Sequence, residues 1–484
     1  MDFVSRTDLI TSMPLLFLAA WASLLLLVVA FAPPESRRRI PLLSAFGLLV
    51  TGFLTSQQFG LQEDAFGGMF IADGFSAFLN ILLVLSGLLA IALSSDYLKR
   101  KGIARQEYYV LMLFSISGMM LMASAADLIV VFLALELLSI PLYVLAAFAQ
   151  PDAQSEEAGI KYFLLGAYAS GFLLFGIALI YGATASTGLN EVFSAAQAGV
   201  DQPLYLLVGA ALILIGLGFK VAAVPFHMWT PDVYEGAPTS VTAFMAAGAK
   251  IAGFAALLRV FIVALPTISE QIVPVLWALS AITLVVGNVL AIAQSNVKRM
   301  LAYSSISHAG FLLMAVVAYG QDSARFDVVA SALFYLLAFL ITSFGSWGVV
   351  IALEKSAGKG LDFKDYAGLG KKEPLIALAM LVFMLSFTGV PPTLGFAGKF
   401  FLFRAVLEGG YIWLAIVGVL TSLVSAYYYL RVVVVMYMQK GNPKVHAERG
   451  LQLITIGTAA ATVLLFIFSE PLFDLASQAL LKIN

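Results

Sequence analysis

Lys220 lies inside an apolar run that starts near Leu204, and five residues later Pro225 interrupts that run. Proline lacks an N–H and crowds the carbonyl four residues back, so a helix kinks or breaks there. His227 follows the break, then Thr230-Pro231 and the polar turn DVYEGAP. A fresh apolar run from Thr239 carries Lys250 near its middle. A second run reaches GVPPTLGFAGKFFLF, where Pro391-Pro392 breaks the helix and Lys399 follows. Lysines inside apolar segments are costly, and broken helices survive in lipid where they line a hydrated cavity or bury against protein. Burial disfavours the ammonium form in general, which suits a lysine to binding and releasing protons. The chemistry these residues point to is ion, and specifically proton, movement.

Glu136 sits in DLIVVFLALELLSIPLYVLAAFA, with eight apolar residues before it and Pro141 just over one helical turn beyond. A carboxylate there must be protonated or paired. It is either a fixed salt bridge or a carboxylate exchanging between partners, and Lys220 is the natural partner. Lys161 follows SEEAGI about one turn into its apolar run, so it is either functional or snorkelling to the interface. Arg259, Arg404 and Arg431 lie nearer the ends of runs and read as interfacial anchors or subunit contacts. His227, beside the break, and His308, in AYSSISHAGF among several hydroxyls, are candidate proton relays. Neither is placed for haem ligation, and no Gly-rich phosphate loop is present.

The elements that must position these residues are transmembrane helices. Of 484 residues 61% are hydrophobic and 11% charged, far from the balance of soluble domains. Net charge is −1, and nothing suggests a nucleic-acid partner; the lipid bilayer is the expected surrounding. With no cysteine, iron–sulfur ligation and disulfides are excluded in this chain. Roughly twenty apolar residues cross a bilayer, and the sequence offers fourteen such runs. Glu136 falls in the fifth, Lys161 in the sixth, Lys220 in the seventh, Lys250 in the eighth, His308 in the tenth and Lys399 in the twelfth.

Loop charges give the orientation. Alternate loops hold Arg37, Arg38, Arg39, then Lys99, Arg100, Lys101, Arg105, then Lys298 and Arg299. They continue with Lys355, Lys359, Lys364, Lys371, Lys372, Lys440, Lys444 and Arg449, whereas the other side holds only Arg6, Arg325 and Lys482. The basic loops face inside, which places both termini outside. The arginines of the first run follow it, so that run reads as a retained span and not a signal peptide.

The interrupted seventh and twelfth runs are offset by five spans, an odd number, which sets them in opposite orientations. Paired broken helices in inverted repeats point to a transport site. The expected fold is all-α and polytopic, with two inverted five-helix repeats each containing a broken helix. The expected divisions are residues 1–105 (spans 1–3), 106–267 (first repeat, spans 4–8), 268–440 (second repeat, spans 9–13) and 441–484 (span 14).

The stretches FKVAAVPFHMWTPDVYEGAPTSV, LALELLSIPLY, NVKRMLAYSSISHAGF, GVPPTLGFAGKF and YYYLRVVV closely resemble subunit N of NADH-quinone oxidoreductase. That is one of the antiporter-like membrane subunits of bacterial respiratory complex I. The resemblance runs along essentially the whole chain. It implies proton translocation driven by quinone reduction elsewhere in the complex, with Glu136, Lys220, Lys250 and Lys399 as key residues and Lys161 matching a further family lysine. It also implies no cofactor in this chain, with FMN, iron–sulfur clusters and quinone in partner subunits. The implied partners are the other complex I membrane subunits, including the other antiporter-like ones, and through them the peripheral redox arm. The implied location is the bacterial inner membrane. The alternatives are a subunit of a multisubunit cation/proton antiporter and a structural anchor that transports nothing.

Overall fold

The computed structural model describes residues 5–33, 37–319, 325–355, 360–446, 448–479 and 481. Among the described residues twelve helices are long and apolar enough to cross a membrane, and two shorter apolar helices bring the spans to fourteen. Spans 1–6 are Met13–Phe31, Ile40–Ser56, Gly74–Lys101, Glu107–Ser124, Leu128–Ala146 and Ala153–Thr184. Span 7 is split into Pro203–Val221 and Trp229–Gly236, and span 8 is Thr239–Ala264. Spans 9–11 are Ser269–Ile292, Val297–Ala318 and Arg325–Leu353. Span 12 is split into Pro374–Thr388 and Leu394–Glu408, and spans 13 and 14 are Ile412–Met438 and Arg449–Ile467. The expected turn after Pro231 is instead a short helix, because a proline in a first turn removes no needed hydrogen bond. A short helix, Ser469–Gln478, follows span 14, and an antiparallel hairpin (Glu63–Ala65 with Phe70–Ala72) precedes span 3.

Short polar side chains start these helices by taking N–H groups that the first turn leaves unpaired. Asp73 caps span 3, Asp127 span 5, Asp152 span 6, Asn296 span 10 and Thr393 the second half of span 12.

Within lipid there is no hydrophobic drive between helices, so small residues that let backbones approach decide which spans pack. Spans 4 and 5 meet where a Cβ on Gly118 would lie 2.3 Å from the Leu138 nitrogen. Spans 6 and 7 meet at Gly176 and Gly209, and spans 9 and 10 at Gly287 and Gly310. The pairing 4–5 and 6–7 is repeated by 9–10 and 11–12. Spans 8, 10 and 11 form the buried centre, while spans 1, 13 and 14 present mostly exposed apolar faces.

Both interruptions are present, and both first halves end in a left-handed residue, Ala222 (φ 62°) and Gly389 (φ 88°). The freed backbone groups find protein partners. Val224 N–H donates to Thr283 Oγ1 at 3.0 Å, and the Trp229 indole donates to the Phe219 carbonyl at 3.0 Å. At the second break Gly395 N–H donates to Ser386 Oγ at 3.1 Å. Such satisfaction is the condition for irregular backbone at membrane depth. Span 5 runs through Pro141 as one helix. Span 8 holds two π-helical turns, Met245–Ala249 directly before Lys250 and Val260–Ala264 directly after Arg259.

Two expectations from spacing are corrected. Arg259 is not an interfacial anchor: it is fully buried and forms a bidentate pair with Asp73, both bonds 3.0 Å, and also donates to the Ala123 carbonyl. Arg259 and Asp73 are 186 residues apart along the chain, but the fold carries span 8 against the start of span 3, a proximity no local spacing encodes. Lys298 is not a loop residue either, because Asn296 caps span 10 ahead of it and draws it into the buried first turn. Arg404 is exposed and pairs with Glu408 and Asp327, as an interfacial residue would. Arg431 is partly buried, lying over the Phe363 ring and donating to the Gln294 carbonyl.

Candidate functional site

Lys220, Lys250 and Lys399 are 4%, 3% and 5% exposed. Among the described residues none forms an ion pair. Each ammonium is held by neutral oxygens and by an aromatic face.

Lys220 occupies the last turn of the first half of span 7, where the helix dipole favours a cation. It donates to Ser139 Oγ at 2.8 Å and Tyr162 OH at 3.1 Å, and its Nζ lies 5.4 Å from the Tyr162 ring centre. Trp229, from the second half of the span, stacks on Tyr162 at 4.5 Å and fixes the ring. The stem of Lys220 crosses span 8 at Gly253, where a Cβ would lie 3.5 Å from Lys220 Cγ. Lys250 is three residues before Gly253 and so on the same helical face.

Lys250 follows the π-turn of span 8 and donates to the Ser305 carbonyl of span 10, with its Nζ 5.6 Å from the Phe339 ring. π-turns occur often at functional positions because they re-aim a side chain. Lys399 reaches back from the second half of span 12 to the end of the first. It donates to the Phe387 and Thr388 carbonyls at 2.8 and 2.9 Å and to Ser422 Oγ at 2.7 Å. Those carbonyls are the unpaired ones at a helix C-terminus, the end that favours positive charge.

His308 joins the last two lysines. Its ring centre is 5.0 Å from that of Phe339, which lies under Lys250, and 5.0 Å from that of Phe387, whose carbonyl takes Lys399. Its Nδ1 is 2.6 Å from Tyr335 OH and its Nε2 3.2 Å from Tyr429 OH, and Tyr429 also meets Ser304. Both ring nitrogens therefore contact hydroxyls able to donate or accept.

Among the described residues no hydrogen bond or ion pair joins the remaining candidates to this row. Glu136 is half-buried on span 5 one turn before Ser139; it makes no ion pair with Lys220, and its Oε1 is buried without a hydrogen-bond partner. Lys161 is at the basic end, its side chain 41% exposed, paired with Glu157 at 2.7 Å and Asp232 at 2.9 Å. Asp232 also takes Arg299 at 2.8 Å, so this network ties span 6 and the second half of span 7 to span 10. His227 lies in the first break between exposed Pro225 and Met228, and its Nδ1 is buried without a hydrogen-bond partner.

Ser139, Tyr162, Tyr335, Tyr429 and Ser422 were not singled out by sequence, and Ser305 was noted for its hydroxyl whereas its carbonyl takes Lys250. Ser139 carried a signal, one turn beyond Glu136, and Tyr429 stood in YYYLRVVV; the others are polar residues of common type whose role depends on tertiary contact. Among the described residues no three His, Cys, Asp or Glu side chains gather to hold a metal ion.

Comparison with known proteins gives the family of the chain. The family described as "NADH:quinone oxidoreductase/Mrp antiporter, TM" matches residues 125–425, more than half of the chain. A "NADH-quinone oxidoreductase subunit N" of Chloroflexus aggregans is 46% identical over 99% of both chains, and one of Trichlorobacter lovleyi is 45% identical over 96% of both. A chain of respiratory complex I from Thermus thermophilus superposes with a TM-score of 0.82 at 34% identity, covering 96% of this chain and 100% of that one. A chain of the Mrp complex from a Dietzia species shares the fold, with a TM-score of 0.84 at 22% identity over 97% of this chain and 96% of that one. The chain belongs to the subunit N family of NADH-quinone oxidoreductase.

Proposed function

We propose that this multi-span membrane subunit of NADH-quinone oxidoreductase moves protons along Lys220, Lys250, His308 and Lys399, driven by quinone reduction in partner subunits. The observation that carries it is the row of three buried lysines with no carboxylate partner, each seated at a helix break or a π-turn. A charge held permanently there would cost several kcal/mol without repayment. A residue that alternates between holding and releasing a proton accounts for both the burial and the missing counter-ion.

Glu136, one turn from Ser139, modulates the entry of the row, and closing it onto Lys220 would hold the proton there. Lys161 and Asp232 link the second half of span 7 to span 10, and His227 is an accessory group at the first break. Spans 4–8 (residues 106–267) and 9–13 (residues 268–440) form two inverted repeats, one per broken helix, flanked by residues 1–105 and 441–484. FMN, iron–sulfur clusters and quinone belong to the partner subunits, reached through the other antiporter-like subunits. The chain lies in the bacterial inner membrane with both termini outside. Identity of 46% to a subunit N along the full length favours this reading over the cation/proton antiporter, whose likeness is one of fold.

The test is Lys220→Ala in complexes shown intact by native electrophoresis and by NADH oxidation with an artificial acceptor. Proton pumping and quinone-linked turnover should fall together, and Lys220→Arg should rescue neither fully, since guanidinium does not release its proton. A normal proton-to-electron ratio in intact Lys220→Ala complexes overturns the reading.

A further inference from the structure

A cavity of about 430 Å³ opens at the basic end, walled by Tyr97, Lys101, Gln154, Glu235, Lys298 and Glu354 among others. Its size admits on the order of ten waters. Glu354 stands just past the end of span 11 and is buried, with Lys101 Nζ 2.8 Å away and donations from Thr239 Oγ1 at 2.6 Å and Tyr97 OH at 3.4 Å. Burial pushes its carboxyl up, but Lys298 and Lys101 outweigh this and hold it below the usual value, so it stands as a carboxylate. Lys298 is equally buried and donates to the Ala237 carbonyl at 2.7 Å, in the short link between span 7 and span 8. Ser305 lies seven residues after Lys298, two turns along the same face of span 10 and about 10 Å up. Its carbonyl takes Lys250.

This cluster has the ingredients of the lysine row, buried ionisable groups inside a membrane helix bundle, with water-sized space opening onto it. A purely structural ion cluster would be as well served by apolar packing. We propose that the cavity is an aqueous inlet that joins the row at Lys250, with Glu354 and Lys298 as its proton-handling residues. A proton carried by cavity water is taken by the Glu354 carboxylate, which loosens from Lys101. Lys298 releases its proton toward Lys250 along the Ser305 face of span 10 and is recharged from Glu354. One proton enters for each that leaves, and the cluster ends as it began. The proposal rests on the reading of the lysine row as a proton path.

The experiment combines charge removal with a plug. Lys298→Met and Glu354→Gln are made in the whole complex, and separately Gln154→Cys is modified by a bulky charged methanethiosulfonate from the basic side. This chain has no cysteine of its own, and complexes without the introduced thiol control for partner subunits. Pumping and quinone-linked NADH oxidation should fall at least tenfold in the variants and in the plugged complex. Artificial-acceptor NADH oxidation should be unchanged, and a thiol reductant should restore the plugged complex. If Lys298→Met fails to assemble, the plug alone decides. Full rates in the plugged complex overturn the inlet. If Lys220→Ala is impaired while Lys298→Met, Glu354→Gln and the plug are silent, only the inlet is wrong; if Lys220→Ala is silent too, the proton path itself is wrong.

Discussion

Lys220 donates to Ser139, 2.8 Å away, and not to Glu136, one turn earlier on the same helix. Ser139 thus holds the ammonium where a carboxylate could reach it by a modest shift. Ser139→Ala removes one neutral acceptor, a loss of about 1 kcal/mol, and should slow quinone-linked turnover about fivefold in intact complexes. Glu136→Gln should slow it further and Glu136→Asp less. Steady-state NADH–quinone kinetics check this, and a silent Glu136→Gln would show that Ser139 and Tyr162 alone set the entry.

The crossing of Lys220 over Gly253 leaves little room. A Cβ at Gly253 would lie 2.7 Å from Val221 Cγ1. Gly253→Ala should therefore displace the end of the first half of span 7 and lower turnover several-fold, with Val221→Ala restoring part of it. Turnover in the single and double variants decides the point; equal rates mean the contact is slack.

The two histidines should separate. His308→Ala cuts the contacts to Tyr335 and Tyr429 and should reduce pumping at least tenfold, whereas His227→Ala should cost less than half the rate. Tyr335→Phe and Tyr429→Phe should each fall between these values. Proton pumping into sealed vesicles ranks the four, and a harsher effect of His227→Ala would move the relay to the first break.

Arg259 and Asp73 make a stability prediction. Removing one partner of a buried pair costs about 3–5 kcal/mol, because the other charge is left uncompensated. Asp73→Asn keeps a helix-capping side chain but loses the charge, so it should lower the yield of intact complex and its heat tolerance. Adding Arg259→Met should recover much of both. Native electrophoresis after heating reads the outcome, and Asp73→Asn complexes as heat-tolerant as the parent would contradict it.

Orientation is tested with single cysteines. Ser194 and Asn442 are exposed on opposite ends of the molecule. An impermeant reagent should label Ser194→Cys only from outside and Asn442→Cys only from inside. The reverse pattern would invert the chain in the membrane.

Fourteen spans, both helix breaks and the three central lysines were legible in the sequence, because each rests on a local rule. Apolar length sets a span, and proline inside such a run removes a hydrogen bond wherever the helix packs. A lysine deep in an apolar run is conspicuous without any structure. The alternation of basic loops likewise needs only the order of the chain. Tertiary structure decided what each charge touches. Arg259 and Lys298 looked peripheral because hydropathy measures distance along the chain, yet the fold buries the first against Asp73 and the second beside Glu354. Glu136 was expected to partner Lys220, and the contact is made instead by Ser139 one turn along the same helix, a choice of helix face that spacing along the chain does not fix. The position of His308 between Lys250 and Lys399 also depends on which faces spans 8, 10 and 12 turn to one another, a matter of small-residue contacts among distant segments.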